Sequence, residues 1–275
     1  MTLWEMFTAA VLGIVEGLTE YAPVSSTGHM IIADDIWLKS GSLMNPEAAN
    51  SFKVVIQLGS ILAVAIVFKD RILHLLGLKK RHARSAEGIQ ADHRANRRRS
   101  CSGGGARLLF EDFIDRYLFS VRTVAYGLIA GAVLMLIADW INKRKETIDT
   151  VDRITYKQAF CVGLFQCLAL WPGFSRSGST IAGGVIVGLN HRAAADFTFI
   201  MAIPIMAGAS LLKLVKYWSS LSYDMIPFFL VGFICAFVVA LLVVKFFLRL
   251  INRIKLVPFA IYRVILGIIL IMLVR

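Results

Sequence analysis

GIVEGLTEYAPVSSTGHMI (residues 13–31) and GLFQCLALWPGFSRSGSTI (residues 163–181) align without a gap at an offset of 150 residues. Each runs as an apolar helix, a break at Pro or Gly, a Ser-Ser-Thr-Gly or Ser-Arg-Ser-Gly turn, and a second apolar helix. A break of this kind frees backbone groups from helical hydrogen bonding. Within a bilayer such groups are tolerated only where they line a cavity or are buried in protein. Two copies of one broken helix therefore predict a polar site at mid-membrane depth, where the copies meet.

Composition agrees with a membrane setting. At 57% hydrophobic residues and a mean hydropathy of +0.70, the 275 residues carry more apolar surface than a soluble core of that size hides. Residues 225–244 contain no charge over a length that crosses about 30 Å of hydrocarbon. Further spans are expected at 52–68, 121–138, 193–212 and 256–274, the last carrying Arg263 buried and paired. Residues 1–20 lack a basic leading region and contain Glu5, Glu16 and Glu20, so the first helix is expected to stay rather than be cleaved as a signal. Trp4, Trp37, Trp140 and Trp218 are expected as interface anchors.

The four cysteines, Cys101, Cys161, Cys167 and Cys235, include no CxxC pair and point to neither a disulfide framework nor a metal cage. The net charge of +12 sits between apolar runs, as in cytoplasmic loops, so anionic lipid is the expected neighbour and nucleic acid is not.

One stretch breaks the pattern. Residues 82–108 are rich in Arg, Ser and Gly, with no apolar helical face. If 69–81 is cytoplasmic and nothing crosses before Val121, the basic loops 143–157 and 245–255 both fall outside. One crossing between about 88 and 110 places both inside. The stretch therefore reads as a membrane span translated out of frame, with a genuine basic loop as the alternative. With that crossing, the fold class is an all-α polytopic membrane protein built as an inverted repeat. Each repeat has one re-entrant helical hairpin followed by three transmembrane helices, about 1–140 and 156–275, in a single membrane domain.

The chemistry lies at the two tips. Glu16 and Glu20 stand at i and i+4 and share one face of an apolar helix, which is costly unless they bind a cation, share a proton or meet an Arg. Beyond Pro23 come Ser25, Ser26, Thr27, Gly28 and His29 at the start of a half-helix, whose free N–H groups favour phosphate. The second tip brings Arg176 between Ser175 and Ser177, with Thr180 behind, and a guanidinium grips phosphate oxygens in a fork. Any one of these hydroxyls alone reads as a bond back to its own helix. Their clustering next to two carboxylates and an Arg points to a pocket for acid, cation and phosphate.

The segments EGLTEYAPVSSTGHM and QCLALWPGFSRSGSTI resemble the two signature regions of the bacterial undecaprenyl-diphosphatase, or bacitracin-resistance, family. FKVVIQLGSILAV and PFAIYR match as well, so the resemblance covers the chain apart from about 82–108, where the family has an apolar span. It implies a multi-pass enzyme of the bacterial plasma membrane with its pocket open to the outer face. That enzyme converts undecaprenyl diphosphate to undecaprenyl phosphate and inorganic phosphate, recycling the wall-synthesis carrier and conferring bacitracin resistance. It further implies that Glu16, Glu20, Ser26, His29 and Arg176 carry the reaction.

On this expectation Glu16 and Glu20 hold a divalent cation, Mg²⁺ or Ca²⁺, against the diphosphate. Arg176, Ser25, Thr27, Gly28, Ser175, Ser177 and Thr180 bind the substrate. The nucleophile is Ser26 with His29 as base, or a water held by the same groups. A homodimer is compatible with this reading. A secondary transporter of lipid phosphate shares the expected architecture. A phosphatidic-acid-type phosphatase fits less well, because His191, fifteen residues after Arg176, falls in an expected loop.

Overall fold

The computed structural model describes residues 1–75, 120–142, 148–217 and 222–273; the anomalous stretch 82–108, Cys101 and Trp218 lie outside these. Among the described residues every regular element is helical, and the only strand-type pairing is an isolated bridge between Ile148 and Leu189. The first hairpin consists of α1 (Leu3–Thr19), α2 (Ser26–Met30) and a π-helical continuation over Ile31–Leu38. Then come α3 (Pro46–Val67), α4 (Lys69–Leu75) and α5 (Val121–Asn142). The second hairpin is α6 (Tyr156–Cys167) and α7 (Arg176–Ile186), followed by α8 (His191–Lys216), α9 (Ile226–Ile254) and α10 (Val257–Leu273).

Helix starts follow local chemistry. Thr2 with Glu5 and Thr155 with Gln158 form capping boxes that open α1 and α6. Asn45 and Asn190 accept from Ala48 and Ala193 N–H at 2.7 Å each, opening α3 and α8. Among the described residues four helices, α3, α5, α8 and the segment ending with α9, are long and apolar enough to cross a membrane, each near a span expected from hydropathy. Helix α10 is apolar but shorter.

Small residues bring the helices together. A side chain at Gly13 would collide with the Gly232 carbonyl, and a Cβ at Gly17 would lie 2.7 Å from the Ala236 carbonyl, so α1 rests directly on α9. Helix α9 is in turn held against α3, where a Cβ at Gly59 would lie 2.6 Å from the Phe233 carbonyl. Where lipid removes the hydrophobic drive between helices, close backbone approach and van der Waals packing hold the bundle. Trp4, Trp37 and Trp140 are more than half exposed, as interface anchors would be.

Two charged residues differ from expectation in their surroundings. Arg263 is fully buried, but its partners are carbonyl oxygens: Nη2 donates to Gly127 (3.3 Å), Gly173 (2.9 Å) and Phe174 (2.7 Å). His191 is not in a loop. It opens α8, is buried, and sits 2.5 Å from Asp139, whose other oxygen accepts from the backbone N–H of Leu256 (2.9 Å) and Val257 (3.1 Å). The Asn190 cap draws the chain into helix one residue before the histidine.

Candidate active site

Both hairpin tips are built by the same device. Ser25 and Ser175 adopt positive φ angles of 74° and 71°, and their hydroxyls accept from the N–H groups of Gly28 (3.4 Å) and Gly178 (3.1 Å). A non-glycine residue with positive φ stores strain, which persists only where its surroundings hold it. Here the side-chain cap and the opposing tip supply that hold. The Ser177 hydroxyl donates across to the carbonyls of Ala22 (3.0 Å) and Glu20 (3.3 Å), locking one tip to the other.

Glu20 is the meeting point. Its Oε2 accepts from the Ser26 hydroxyl at 2.6 Å, and its Oε1 accepts from Arg176 Nη2 at 2.9 Å. The carboxylate is 8% exposed and the guanidinium 17%, so the pair is shielded from bulk water yet reachable. Arg176 also lies over the Tyr21 ring, 5.4 Å from its centroid. Its Nη1 is buried without a hydrogen-bond partner, as is Oε1 of Glu16 one turn below Glu20. Unpaired polar atoms of this kind are costly in an apolar interior and mark places where a ligand atom would be accommodated.

A cavity of about 840 Å³ opens onto these groups. Glu20, Ser26 and Arg176 line it, together with Ser25, Thr27 and Ser175. It extends along α8 to Lys213 and Lys216 in the last turn of that helix. The other expected residues do not line it. Thr180 donates to the Arg176 carbonyl at 2.7 Å within its own helix, Gly28 serves the Ser25 cap, and Ser177 ties the tips. Glu16 is 5% exposed and lies behind Glu20. His29 faces another way: Nδ1 meets the Ser25 carbonyl at 2.8 Å and Nε2 meets the Tyr262 hydroxyl at 2.6 Å.

Gln57, Gln166, Lys213, Lys216 and Tyr262 were not singled out from sequence. Gln166 alone carried a signal, since it stands 150 residues after Glu16. Among the described residues no group of three or more His, Cys, Asp or Glu converges as a preformed metal cage. Glu16 and Glu20 still fit a hard cation, because such ions accept one or two carboxylates and complete their shell with phosphate oxygens and water. The unpaired Glu16 oxygen is the observation that favours that fit.

Fold and site together define a polytopic helical membrane protein with a shielded carboxylate–hydroxyl–guanidinium pocket. The chain belongs to the family described as bacitracin resistance protein BacA, whose family model matches residues 9–269. It is 90% identical to an undecaprenyl-diphosphatase of Bacillus velezensis, with both chains covered in full. It is 73% identical to an undecaprenyl-diphosphatase of Bacillus subtilis over 99% of each chain, and 61% identical to that of Geobacillus thermodenitrificans over 96% of each.

Proposed function

We propose that this chain hydrolyses undecaprenyl diphosphate to undecaprenyl phosphate and inorganic phosphate, and so recycles the lipid carrier of wall synthesis and confers bacitracin resistance. Identities of 90% and 73% over at least 99% of the chain to proteins of that name support the activity. The observation that carries the site is the double engagement of Glu20, by Ser26 at 2.6 Å and by Arg176 at 2.9 Å.

The terminal phosphoryl group enters the cavity and takes the Arg176 guanidinium, whose free Nη1 supplies a second donor for the fork. Ser26 Oγ attacks the terminal phosphorus as Glu20 Oε2 accepts the hydroxyl proton. The bridging P–O bond breaks and its electrons leave on undecaprenyl phosphate. Water then attacks the phosphoserine as the Oγ–P bond breaks; Glu20 returns to Ser26 Oγ the proton it took, and both water protons leave with the inorganic phosphate, which restores the Glu20 carboxylate. Charge in the loose transition state spreads over the equatorial oxygens, where Arg176 stabilises it.

This gives the proton-accepting role to Glu20. His29, with both ring nitrogens engaged elsewhere, holds the Ser25 turn. Glu16, with Glu20, would hold Mg²⁺ or Ca²⁺, which when bound neutralises diphosphate charge.

The two repeats, about 1–140 and 156–275, enter from opposite faces in this reading, and the pocket opens to the outer face of the plasma membrane. Two observations support that orientation: the cavity runs to the Lys216 end of α8, and the other end, where the Arg192 N–H donates to Asn252, gathers Arg192 with Arg249, Arg253 and Lys255 from the end of α9.

The test is phosphate release from undecaprenyl diphosphate by the purified full chain in detergent, where no second compartment exists for transport. Turnover is expected, with at least a hundredfold loss in Glu20→Gln. Absence of phosphate release by the unaltered chain would overturn the activity, and retained turnover in Glu20→Gln would overturn the site.

A further inference from the structure

Tyr262 and Arg263 are neighbours on α10, yet each reaches a different hairpin tip. The Tyr262 hydroxyl lies 2.6 Å from His29 Nε2, and the two rings stack with centroids 5.6 Å apart and planes 10° apart. The carbonyl of Ser25 can only accept, so the hydrogen of the neutral imidazole sits on Nδ1, and Nε2 is left to accept from the phenol. That chain of bonds ends on the residue immediately before Ser26.

Arg263 reaches the other side. Its Nη2 donates to the carbonyls of Gly173 (2.9 Å) and Phe174 (2.7 Å), which belong to the turn leading into Ser175 and Arg176. Gly173 has a φ of +90°, and this turn is outside any helical hydrogen-bond ladder, so its carbonyls would be bare in the apolar interior without the guanidinium. Space for it is left by Gly131, where a Cβ would collide with Arg263. YGLIAG (residues 126–131, α5) and YRVILG (residues 262–267, α10) align at an offset of 136, so Arg263 stands where the other segment has Gly127.

We propose that Tyr262 and Arg263 are positioning residues: α10 clasps both broken hairpins, fixing the Ser25–Ser26 turn through His29 and the Gly173–Arg176 turn through its carbonyls. The inference rests on the diphosphatase reading above and adds the groups that keep its nucleophile and its phosphate ligand in register. A displacement of about 1 Å at such groups costs on the order of 10² in rate.

The test compares Tyr262→Phe, Arg263→Gln and Arg263→Lys in the full chain in detergent, alongside Glu20→Gln. Tyr262→Phe is expected to lower kcat about tenfold with KM within about twofold, the loss of one good hydrogen bond. ¹⁵N NMR of the His29 ring, assigned against His29→Gln, should show the Nε2 resonance displaced. Arg263→Gln should lower kcat about 10²-fold, and Arg263→Lys, which keeps a charged donor, should recover most of it. Should Arg263→Gln fail to fold, Gly131→Ala, whose Cβ would meet both the guanidinium and the Phe174 carbonyl that it holds, disturbs the same contact and should give the same kcat loss. Unaltered kcat in Tyr262→Phe and in the Arg263 or Gly131 variant, or an unmoved Nε2 resonance, overturns the clasp. If Glu20→Gln is inactive in the same series, the clasp alone has failed; if it is active, the site reading has failed with it.

Discussion

Ser26 and Arg176 hold the same position in the two hairpin tips, 150 residues apart, and each binds a different oxygen of Glu20, at 2.6 Å and 2.9 Å. Two copies of one turn, opened by Ser25 and Ser175 in matching conformations, thus deliver different chemistry to one carboxylate. The repeated turn supplies the scaffold and divergence at this position supplies the roles: a hydroxyl from one copy, a fixed positive charge from the other. The copies also differ ten residues earlier, where Glu16 is matched by Gln166.

Removing both members of the Glu20–Arg176 pair should cost less than the two single removals added together. Glu20→Gln leaves a guanidinium 17% exposed with no carboxylate, and Arg176→Met leaves a carboxylate 8% exposed. Each single change is expected to destabilise by about 3 kcal/mol, because an uncompensated buried charge remains. The double variant should lose less than the sum, by at least about 1 kcal/mol of coupling, in reversible denaturation of the detergent-solubilised protein. Strict additivity would mean the contact carries no interaction energy.

Ser26→Ala should reduce phosphate release by about 10³-fold, within the range for loss of an activated nucleophile and its proton transfer. Rapid quench of the unaltered chain with terminally labelled substrate should trap phosphate on Ser26. Release within tenfold of normal in Ser26→Ala would assign the attack to water held by Glu20 instead.

The tips, four long spans, the apolar α10 and the position of Glu20 were legible in sequence, because each leaves a period, a break or a costly charge. The meeting of Glu20 with Arg176 followed from the repeated tips, and the two groups lie 2.9 Å apart. What sequence did not disclose were partners that carry no residue signature. Arg263 pairs with backbone carbonyls, which every residue has, so a search for a carboxylate partner would not find them. Tyr262 meets His29 across 233 positions with only an aromatic letter to mark it. The placement of His191 was missed because its helix begins at a modest Asn cap rather than at a change in hydropathy.

If Glu16 and Glu20 hold a cation with the diphosphate, chelation should abolish turnover and added Mg²⁺ or Ca²⁺ should restore it. Glu16→Gln should then raise the metal concentration for half-maximal activity by about 10–100-fold while Ser26 and Arg176 remain in place. Full activity in excess chelator would remove the metal from the reaction and leave Glu16 as a structural carboxylate.

Close helix approach at Gly17 should be as necessary as any polar contact. A Cβ there would lie 2.7 Å from the Ala236 carbonyl and 2.9 Å from Val239 Cβ, neither of which is a flexible side-chain end. Gly17→Leu should push α1 off α9 and cost about 1–3 kcal/mol. Because Glu16 and Glu20 ride on that helix or at its end, kcat should fall as well. Stability and turnover of Gly17→Leu measured on the same preparation check both effects.

The clasp between His191 and Asp139 leads to the opposite expectation. It joins α5, the start of α8 and the start of α10, since Asp139 accepts from His191 and from the backbone of Leu256 and Val257. Lys213 and Lys216, where the cavity ends, lie in the last turn of the same α8, most of a bilayer away along a helix of 26 residues. His191→Ala strips a buried carboxylate, 3% exposed, of its side-chain donor, and should destabilise the protein by about 3 kcal/mol. The folded fraction should still turn over substrate at a kcat within about twofold of normal, because nothing at Ser26 or Arg176 depends on that contact. Denaturation midpoints paired with active-site titration separate the two quantities, and a fall in kcat at unchanged stability would connect this end of α8 to the reaction.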